Sequence, residues 1–242
     1  MVGAVLFVAT HWLLQLGAGL PPPDAVLAAV LLVGLPARAL AELRLSVAAL
    51  ELDRIPAYAS SIVALLLVGG ASWLVGTRDG GAGVGLEPLA TGALVTWTVG
   101  LTGAGFGVTL AFRTLTLRLG RSDPPLLHLL LPRTGAEKLV FAGLSVSAGV
   151  GEELAYRGFL ILALAPVAGT VGAALLSTVV FGIIHAYQGT IGIARTGALG
   201  GVLAWGFLAS GSLWPPILAH TLIDLLAGLV FAERLVVRPP EG

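Results

Sequence analysis

Apolar residues dominate this chain in long runs, and short polar or proline-rich stretches separate the runs. A run of roughly 17–25 apolar residues is long enough to cross a bilayer as a helix. Eight runs meet this description, at about 3–20, 25–41, 56–76, 88–112, 136–165, 168–187, 190–210 and 213–232. The pattern therefore predicts an all-α membrane protein, a polytopic helical bundle of about eight transmembrane helices.

Proline and glycine mark most junctions between the runs, among them Pro166 between the fifth and sixth runs, as they do between helices in general. The first run has no basic stretch before it and leads into Pro21–Pro23, so we interpret it as a retained span and not as a secretion signal. The second run is the weakest, because Pro36, Arg38, Glu42 and Arg44 interrupt it. No polar segment is long enough to fold alone, which predicts a single integral-membrane domain over residues 1–242.

Composition agrees with this interpretation: 57% of the residues are hydrophobic and 11% are charged, against about 25% charged in ordinary soluble domains. The formal net charge is zero, which argues against nucleic-acid binding because that function needs a basic excess. The chain has no cysteine. Disulfides, thiolate metal sites and a cysteine nucleophile are thereby excluded.

Basic residues divide unequally between the two predicted faces. One face receives Arg44, Arg54, Arg113, Arg118, Arg121, Arg133, Lys138, Arg195, Arg234 and Arg238, with Arg38 near it, and the other receives only Arg78. Because short cytoplasmic loops carry the excess of Lys and Arg, this predicts that both termini are cytoplasmic. The linker 113–138 is the most basic. We expect it to rest near lipid headgroups, with substrate docking as the alternative role, and an interfacial helix around Leu126 to Leu131 fits within it.

Small residues recur at a spacing that lets membrane helices approach closely. Gly197 and Gly201 form one such pair, and Ser145 and Gly149 form another. We expect both pairs to serve helix packing.

Three charged residues interrupt the fifth apolar run. Glu152, Glu153 and Arg157 lie in a segment whose neighbours are nearly all apolar or small. Each charge at a bilayer centre costs at least ~2.5–3.5 kcal/mol, so such groups normally face a polar cavity and have partners. Glu153 and Arg157 are four residues apart and predict an ion pair on one helical face. Glu152 lies about 100° around the helix and is the carboxylate left without a partner.

Two later runs also carry polar groups. His185 follows Phe181 by four residues, and Asp224 follows His220 by four. Taken singly, these groups also fit structural roles, as an interhelical histidine and as a structural His–Asp pair. Because unsatisfied polar groups are costly in hydrocarbon, we expect the three runs to turn their polar faces toward one cavity. Carboxylate and imidazole together can activate water or bind a metal.

The expected depths of these groups disagree. Counted along straight spans at about 1.5 Å per residue, Glu152 and His220 lie about 20 Å from the basic face and His185 about 5 Å. A shared cavity therefore requires helix tilt, a sunken loop at 188–190 or a different span end.

The three motifs in this order resemble those of the CPBP family, which groups CAAX prenyl endopeptidases with bacteriocin-processing or immunity-type Abi proteins. The motifs are Glu152-Glu153-xxx-Arg157-Gly158, Phe181-xxx-His185 and His220-xxx-Asp224, in a core of about residues 136–232. The resemblance implies an all-helical intramembrane endopeptidase that uses an activated water. It implies these roles: Glu152 as general base, His185 holding the water, His220 and residue 224 stabilising the oxyanion, and Glu153 and Arg157 orienting the site.

Several alternatives stay open. The family is often described as metalloproteases, and these residues fit either a divalent metal such as zinc or no metal. Position 224 is often Asn in the family, whereas an ionised Asp224 cannot donate a hydrogen bond to an oxyanion. Asp224 would then orient His220, bind a cation or remain protonated. His11 and His128 lie outside the motifs and receive no role.

The resemblance implies a peptide or protein substrate, with its anchoring in the membrane left open, and a lipid bilayer as surroundings. The composition, rich in Gly, Ala, Leu and Arg, favours a prokaryotic cell membrane. Two rival functions remain: a non-catalytic immunity or scaffold protein of the same family, and a transporter whose intramembrane carboxylates relay ions.

Overall fold

The computed structural model describes residues 2–42 and 53–238, and all regular structure within these ranges is helical. The helices are α1 Val2–Trp12, α2 Pro22–Ala29, α3 Leu35–Glu42, α4 Arg54–Thr77, α5 Thr91–Arg118, α6 Pro125–Leu129, α7 Gly135–Glu152, α8 Ile161–Ile184, α9 Gly189–Ser210, α10 Trp214–Leu225 and α11 Ala232–Leu235. The predicted all-α polytopic architecture is confirmed. Arg44, one of the basic residues used for orientation, lies outside the described residues.

Short π-helical segments join several of these helices into longer ones. They are Leu13–Gly17 after α1, Val30–Gly34 between α2 and α3, Glu153–Leu160 between α7 and α8, and Leu226–Val230 after α10. Five of the resulting stretches in the described residues are long and apolar enough to span a membrane: Pro22–Glu42, Arg54–Thr77, Thr91–Arg118, Gly135–Ile184 and Ala186–Ser210. Two shorter apolar stretches are Val2–Gly17 and Trp214–Val230. The count of eight spans stays a prediction.

The 50-residue stretch Gly135–Ile184 is bent into two arms. At Gly169 the backbone leaves helical geometry, with φ 70° and ψ 157°, a conformation that glycine adopts without the steric cost of a side chain. The arms then pack against each other, since the Ser177 hydroxyl donates to the Tyr156 carbonyl at 2.7 Å. The sequence placed this break near Pro166, and the structure places it three residues later.

Helix α4 packs closely along α7 at a pair of glycines. A Cβ atom on Gly69 would lie 2.6 Å from the Gly151 Cα, and one on Gly151 would lie 2.5 Å from the Leu65 carbonyl oxygen. Distances this short are incompatible with any side chain, so both positions require glycine if the helices are to keep this separation. The close crossing fixes α7 one residue before Glu152.

The small residues singled out for packing face neighbouring helices, as predicted. A Cβ on Gly149 would lie 2.9 Å from the Ile217 carbonyl oxygen in α10, and one on Gly182 in α8 would lie 3.2 Å from the Gly197 Cα in α9. Close backbone approach of this kind is a common means of packing helices in membranes. It brings α7, α8, α9 and α10 together around the π-helical segment Glu153–Leu160.

The apolar core surrounds the π-helical segment Glu153–Leu160, all of whose residues are buried. Side chains from the π-helical segment Val30–Gly34, from α8 and from α9 pack on it, among them Leu31, Phe181 and Phe207. In contrast, many large apolar side chains point outward, including Leu67, Leu139 and Val171. An apolar exterior of this extent is typical of a surface that contacts another apolar phase. The predicted helix near 126–131 is present as α6, Pro125–Leu129.

Candidate active site

Glu152 is the last α-helical residue of α7, directly before the π-helical segment. Short π-helical insertions inside α-helices occur frequently at functional sites. Here the change of helical repeat separates two neighbouring carboxylates. Glu153 is fully buried, whereas Glu152 lies on a half-buried surface.

Glu153 and Arg157 form the ion pair predicted from their spacing. Arg157 Nη1 donates to Glu153 Oε1 at 2.8 Å, and both side chains are fully buried. The guanidinium also lies 3.9 Å from the centre of the Phe181 ring. A Cβ on Gly200 would lie 2.8 Å from Arg157 Nη2, so this glycine of α9 leaves the room that the guanidinium occupies. The pair is therefore enclosed by three helices.

The pair is joined by His220 from α10. Its Nδ1 lies 2.8 Å from Glu153 Oε1. A carboxylate oxygen accepts a hydrogen bond, so the proton of a neutral His220 resides on Nδ1 and the Nε2 lone pair points away from Glu153. Glu153 is thus the residue that orients His220.

The Nδ1 atom of His185, like that of His220, lies within hydrogen-bond distance of an oxygen acceptor, but the acceptor is a backbone carbonyl. His185 Nδ1 lies 2.8 Å from the Phe181 carbonyl oxygen, which again places the proton of a neutral ring on Nδ1. Its Nε2 faces Glu152, and so does that of His220. The Glu152 Oε2 atom lies 4.0 Å from His185 Nε2 and 3.8 Å from His220 Nε2.

Glu152 Oε2 is the polar atom at the centre of this group. It is buried and has no hydrogen-bond partner among the residues that the structure describes. Its separations from the two imidazoles exceed hydrogen-bond length and are of the size that one bridging water spans. The Glu152, His185 and His220 side chains, from three predicted spans, therefore face one point.

Asp224 lies at the outer edge of the group. Its Oδ2 is 3.7 Å from His220 Nε2, the same atom that faces Glu152, and its side chain is 38% exposed. The corresponding exposures of Glu152 and His220 are 14% and 11%. The more exposed position of Asp224 marks the side on which the group opens.

The bend at Gly169 explains why His185 and Glu152 meet although straight spans placed them at different depths. The two residues are nearly equidistant in sequence from Gly169, so at about 1.5 Å per residue both lie about 25 Å along their arms. The earlier count assumed that the fifth span ends near residue 165 and treated the two arms separately. In a hairpin, positions equally distant from the bend lie side by side.

A divalent metal would find suitable donor types here, since glutamate and two histidines form known zinc sites. However, no group of three or more such residues in the described ranges is arranged to hold an ion. The residues as placed do not fit a metal, and we derive no step through one.

Comparison with known families assigns this region. Residues 134–226 match the family model described as Rce1-like, type II CAAX prenyl endopeptidase. This part of the chain is therefore similar to the Rce1-like family. The matched region runs from the start of α7 into the π-helical end of α10 and contains all six candidate residues, namely Glu152, Glu153, Arg157, His185, His220 and Asp224. Helices α1 to α6 and α11 lie outside it.

The match to the Rce1-like family model, together with the apolar helices, supports an integral membrane protein. No curated protein and no solved structure matches the chain significantly.

Beyond the three sequence motifs, sequence reasoning missed the groups that hold the site in place. Ser177 bonds to the Tyr156 carbonyl, and Gln188 accepts hydrogen bonds from Arg195 and Thr196 beside the turn after His185. A serine in an apolar run gives no indication of its partner. The charge of Arg195 was noted only for membrane orientation.

Proposed function

We propose that this protein is an intramembrane endopeptidase in which Glu152 activates a water for attack on a peptide bond. The observation that carries the proposal is the buried Glu152 Oε2, which lacks a hydrogen-bond partner among the described residues and lies 3.8 and 4.0 Å from two imidazole Nε2 atoms. A buried polar atom of this kind calls for an explanation, and a bound water is the simplest one. The family of the region supports a protease.

In the proposed reaction, Glu152 takes a proton from the water while the oxygen of that water bonds to the carbonyl carbon of the peptide. His185 Nε2 accepts the second hydrogen of that water and keeps its oxygen directed at the carbonyl. The tetrahedral intermediate collapses as the carbon–nitrogen bond breaks, and Glu152 passes its proton to the leaving nitrogen. General acid–base catalysis of this kind contributes about 10²–10⁴-fold to a rate.

Stabilisation of the oxyanion falls to His220 in this proposal. When His220 carries a second proton, its Nε2–H donates to the oxyanion, while Nδ1–H remains bonded to Glu153. Asp224, 3.7 Å from the same Nε2, stabilises the charged ring. Glu153 and Arg157 hold His220 in position. In this proposal Asp224 has an electrostatic role and does not donate a hydrogen bond to the oxyanion.

The substrate in this proposal is a peptide or protein segment that reaches the site from the cytoplasmic side. The excess of basic residues supports a cytoplasmic position for both termini. The family description names CAAX prenyl endopeptidases, so substrates with a prenylated C-terminal CAAX sequence are the first to test. The composition supports a prokaryotic cell membrane as the location.

The test uses the full chain in lipid vesicles with quenched fluorescent CAAX peptides, each prepared with and without the prenyl group. Glu152→Gln keeps the size of the side chain but cannot serve as a base, so we expect kcat to fall by about 10³-fold or more. The exposed Glu42→Gln is the matched control and should leave kcat unchanged. Thermal unfolding of both variants should resemble that of the wild type.

Two outcomes would reject the proposal. One is cleavage retained by both Glu152→Gln and His185→Ala. The other is protection against a toxin, or binding of a membrane partner, that survives Glu152→Gln in a protein that cleaves no peptide, because this identifies a non-catalytic member of the family.

A further inference from the structure

The turn that carries His185 is held from outside the Rce1-like motifs. His185 directly follows α8, and the short 3₁₀-helical turn Ala186–Gln188 leads into α9. The Gln188 backbone N–H donates to the His185 carbonyl at 2.9 Å. Gly189, with φ 76°, completes the reversal, and the ring of Pro124 packs against it. The position of His185 therefore depends on how this turn is fixed.

Arg195 fixes the turn through the Gln188 side chain. Gln188 Oε1 accepts from Arg195 Nη2 at 3.1 Å and from Thr196 Oγ1 at 3.0 Å. Both donors lie in the second turn of α9. Because the Gln188 backbone is bonded to His185, its side-chain bonds transmit any displacement of Arg195 to the turn.

Asp123 in turn holds Arg195. Asp123 Oδ1 lies 3.6 Å from Arg195 Nη1, and the two side chains are 6% and 12% exposed. Ion pairs at exposed positions contribute little, but a pair as enclosed as this one leaves an uncompensated charge when one partner is lost. Asp123 is thus a buried link between the α5–α6 loop and α9.

The second oxygen of Asp123 is bonded to the chain near its C-terminal end. Asp123 Oδ2 accepts from the Val237 backbone N–H at 2.8 Å, and the Asp123 N–H donates to the Val237 carbonyl at 2.9 Å. The side chains of Leu235 and Val237 are also buried. Asp123 therefore contacts Arg195 with one oxygen and the segment after α11 with the other.

We propose that Asp123 is a positioning residue for the candidate active site, which makes the placement of His185 depend on docking of the segment at Val237. The chain of contacts runs from Val237 through Asp123, Arg195 and Gln188 to the His185 carbonyl. This inference rests on the proposed function only for its effect on rate. Its structural content, that undocking Val237 loosens the turn after His185, is independent of catalysis.

The decisive variant is Val237→Pro, because proline lacks the N–H that Asp123 accepts. The preceding residue, Val236, already has φ −81° and ψ 128°, which is the extended conformation that a following proline requires. Val237→Ala keeps the N–H and removes buried methyl groups, and so separates packing from the hydrogen bond. Arg238→Pro is the neighbouring control.

The first measurement is cysteine labelling, which is simple here because the chain has no native cysteine. Ala186, next to His185, is fully buried, so a maleimide should react slowly with Ala186→Cys. Adding Val237→Pro should raise the labelling rate by about fivefold through local opening, while Val237→Ala and Arg238→Pro should not. Equal rates in all four proteins would overturn the inference, whether or not any peptide is cleaved.

The second measurement is the kinetics of the same variants without the added cysteine. Val237→Pro and Arg195→Met should lower kcat about tenfold with little change in KM, since small misplacement of a catalytic group costs rate more than binding. Arg195→Lys keeps the charge that Asp123 holds and should restore part of kcat. If the turn opens in the labelling experiment while kcat of an active enzyme is unchanged, Asp123 is structural and has no positioning role.

Discussion

The first helix and the π-helical segment after Glu152 are opposites in this molecule. Helix α1 is strongly apolar but buries none of its residues, whereas Glu153–Leu160 contains a carboxylate and a guanidinium and buries every residue. In a water-soluble domain charged side chains are almost never fully buried unless paired. Here the lipid accepts apolar side chains on the outside, so the interior is free to hold polar groups that satisfy one another. In this protein, therefore, the buried residues are not simply the most hydrophobic ones, and a fully buried polar side chain indicates a candidate functional or structural group.

The largest change we expect comes from breaking the buried pair. Arg157→Met should lower the free energy of unfolding by ~3–5 kcal/mol, because it leaves Glu153 charged and uncompensated in the interior. Denaturation in mixed detergent micelles, followed by tryptophan fluorescence, measures the loss. The double variant with Glu153→Gln should recover much of it. If Arg157→Met is as stable as the wild type, the Glu153–Arg157 pair does not account for the difference between the buried segment Glu153–Leu160 and α1.

The glycine contact between α4 and α7 should have the next largest effect. In Gly151→Ala the new Cβ would lie 2.5 Å from a backbone oxygen, which forces the helices apart, so we expect a destabilisation of ~1–3 kcal/mol. Cleavage should fall as well, because Glu152 is the next residue. Gly70→Ala is the control, since nothing lies within 4 Å of its added Cβ. If the two variants have similar stabilities, the close contact between α4 and α7 at Gly151 is contradicted.

A smaller effect is expected from the hydrogen bond between the two arms of the bent helix. Ser177→Ala removes the donor to the Tyr156 carbonyl, inside the π-helical segment, and should cost ~1 kcal/mol. Ser60→Ala, which removes an exposed bond within α4, should cost less. The same denaturation experiment compares them, and a larger cost at Ser60 would remove the distinction between buried and peripheral bonds.

The smallest effect is expected at α1. Leu6 is 53% exposed, and Leu6→Ala should change the free energy of unfolding by less than ~0.5 kcal/mol, because the side chain packs on little protein. A loss of several kcal/mol would mean that α1 is covered by a partner, and the contrast with the buried segment would then be wrong.

Sequence reasoning predicted the existence of the helices and the Glu153–Arg157 pair because both depend on local spacing. Long apolar runs indicate spans, and charges four residues apart share a face. The sequence predicted the bend at Pro166, three residues before its actual position at Gly169, because proline is the stronger signal for a break. That displacement, together with the treatment of the two arms as separate straight spans, contributed to the disagreement in depth between Glu152 and His185.

The supports of the site could not be predicted in the same way. Asp123 and Val237 are joined by hydrogen bonds across 114 residues, and neither residue stands out in its own neighbourhood. Periodicity shows which face of a helix is apolar, but it does not show which loop packs on which turn. The π-helical geometry after Glu152 has no recognised spacing of its own and was predicted as ordinary α-helix.

The hairpin about Gly169 has a consequence for the tolerance of the chain to changes in length. Inserting a single residue anywhere between Glu152 and the bend would rotate the carboxylate by about 100° and move it about 1.5 Å along its arm. His185 would stay where it is. Activity would then disappear although every functional side chain was still present, so the distance along the chain between these two residues belongs to the active site as much as the residues do.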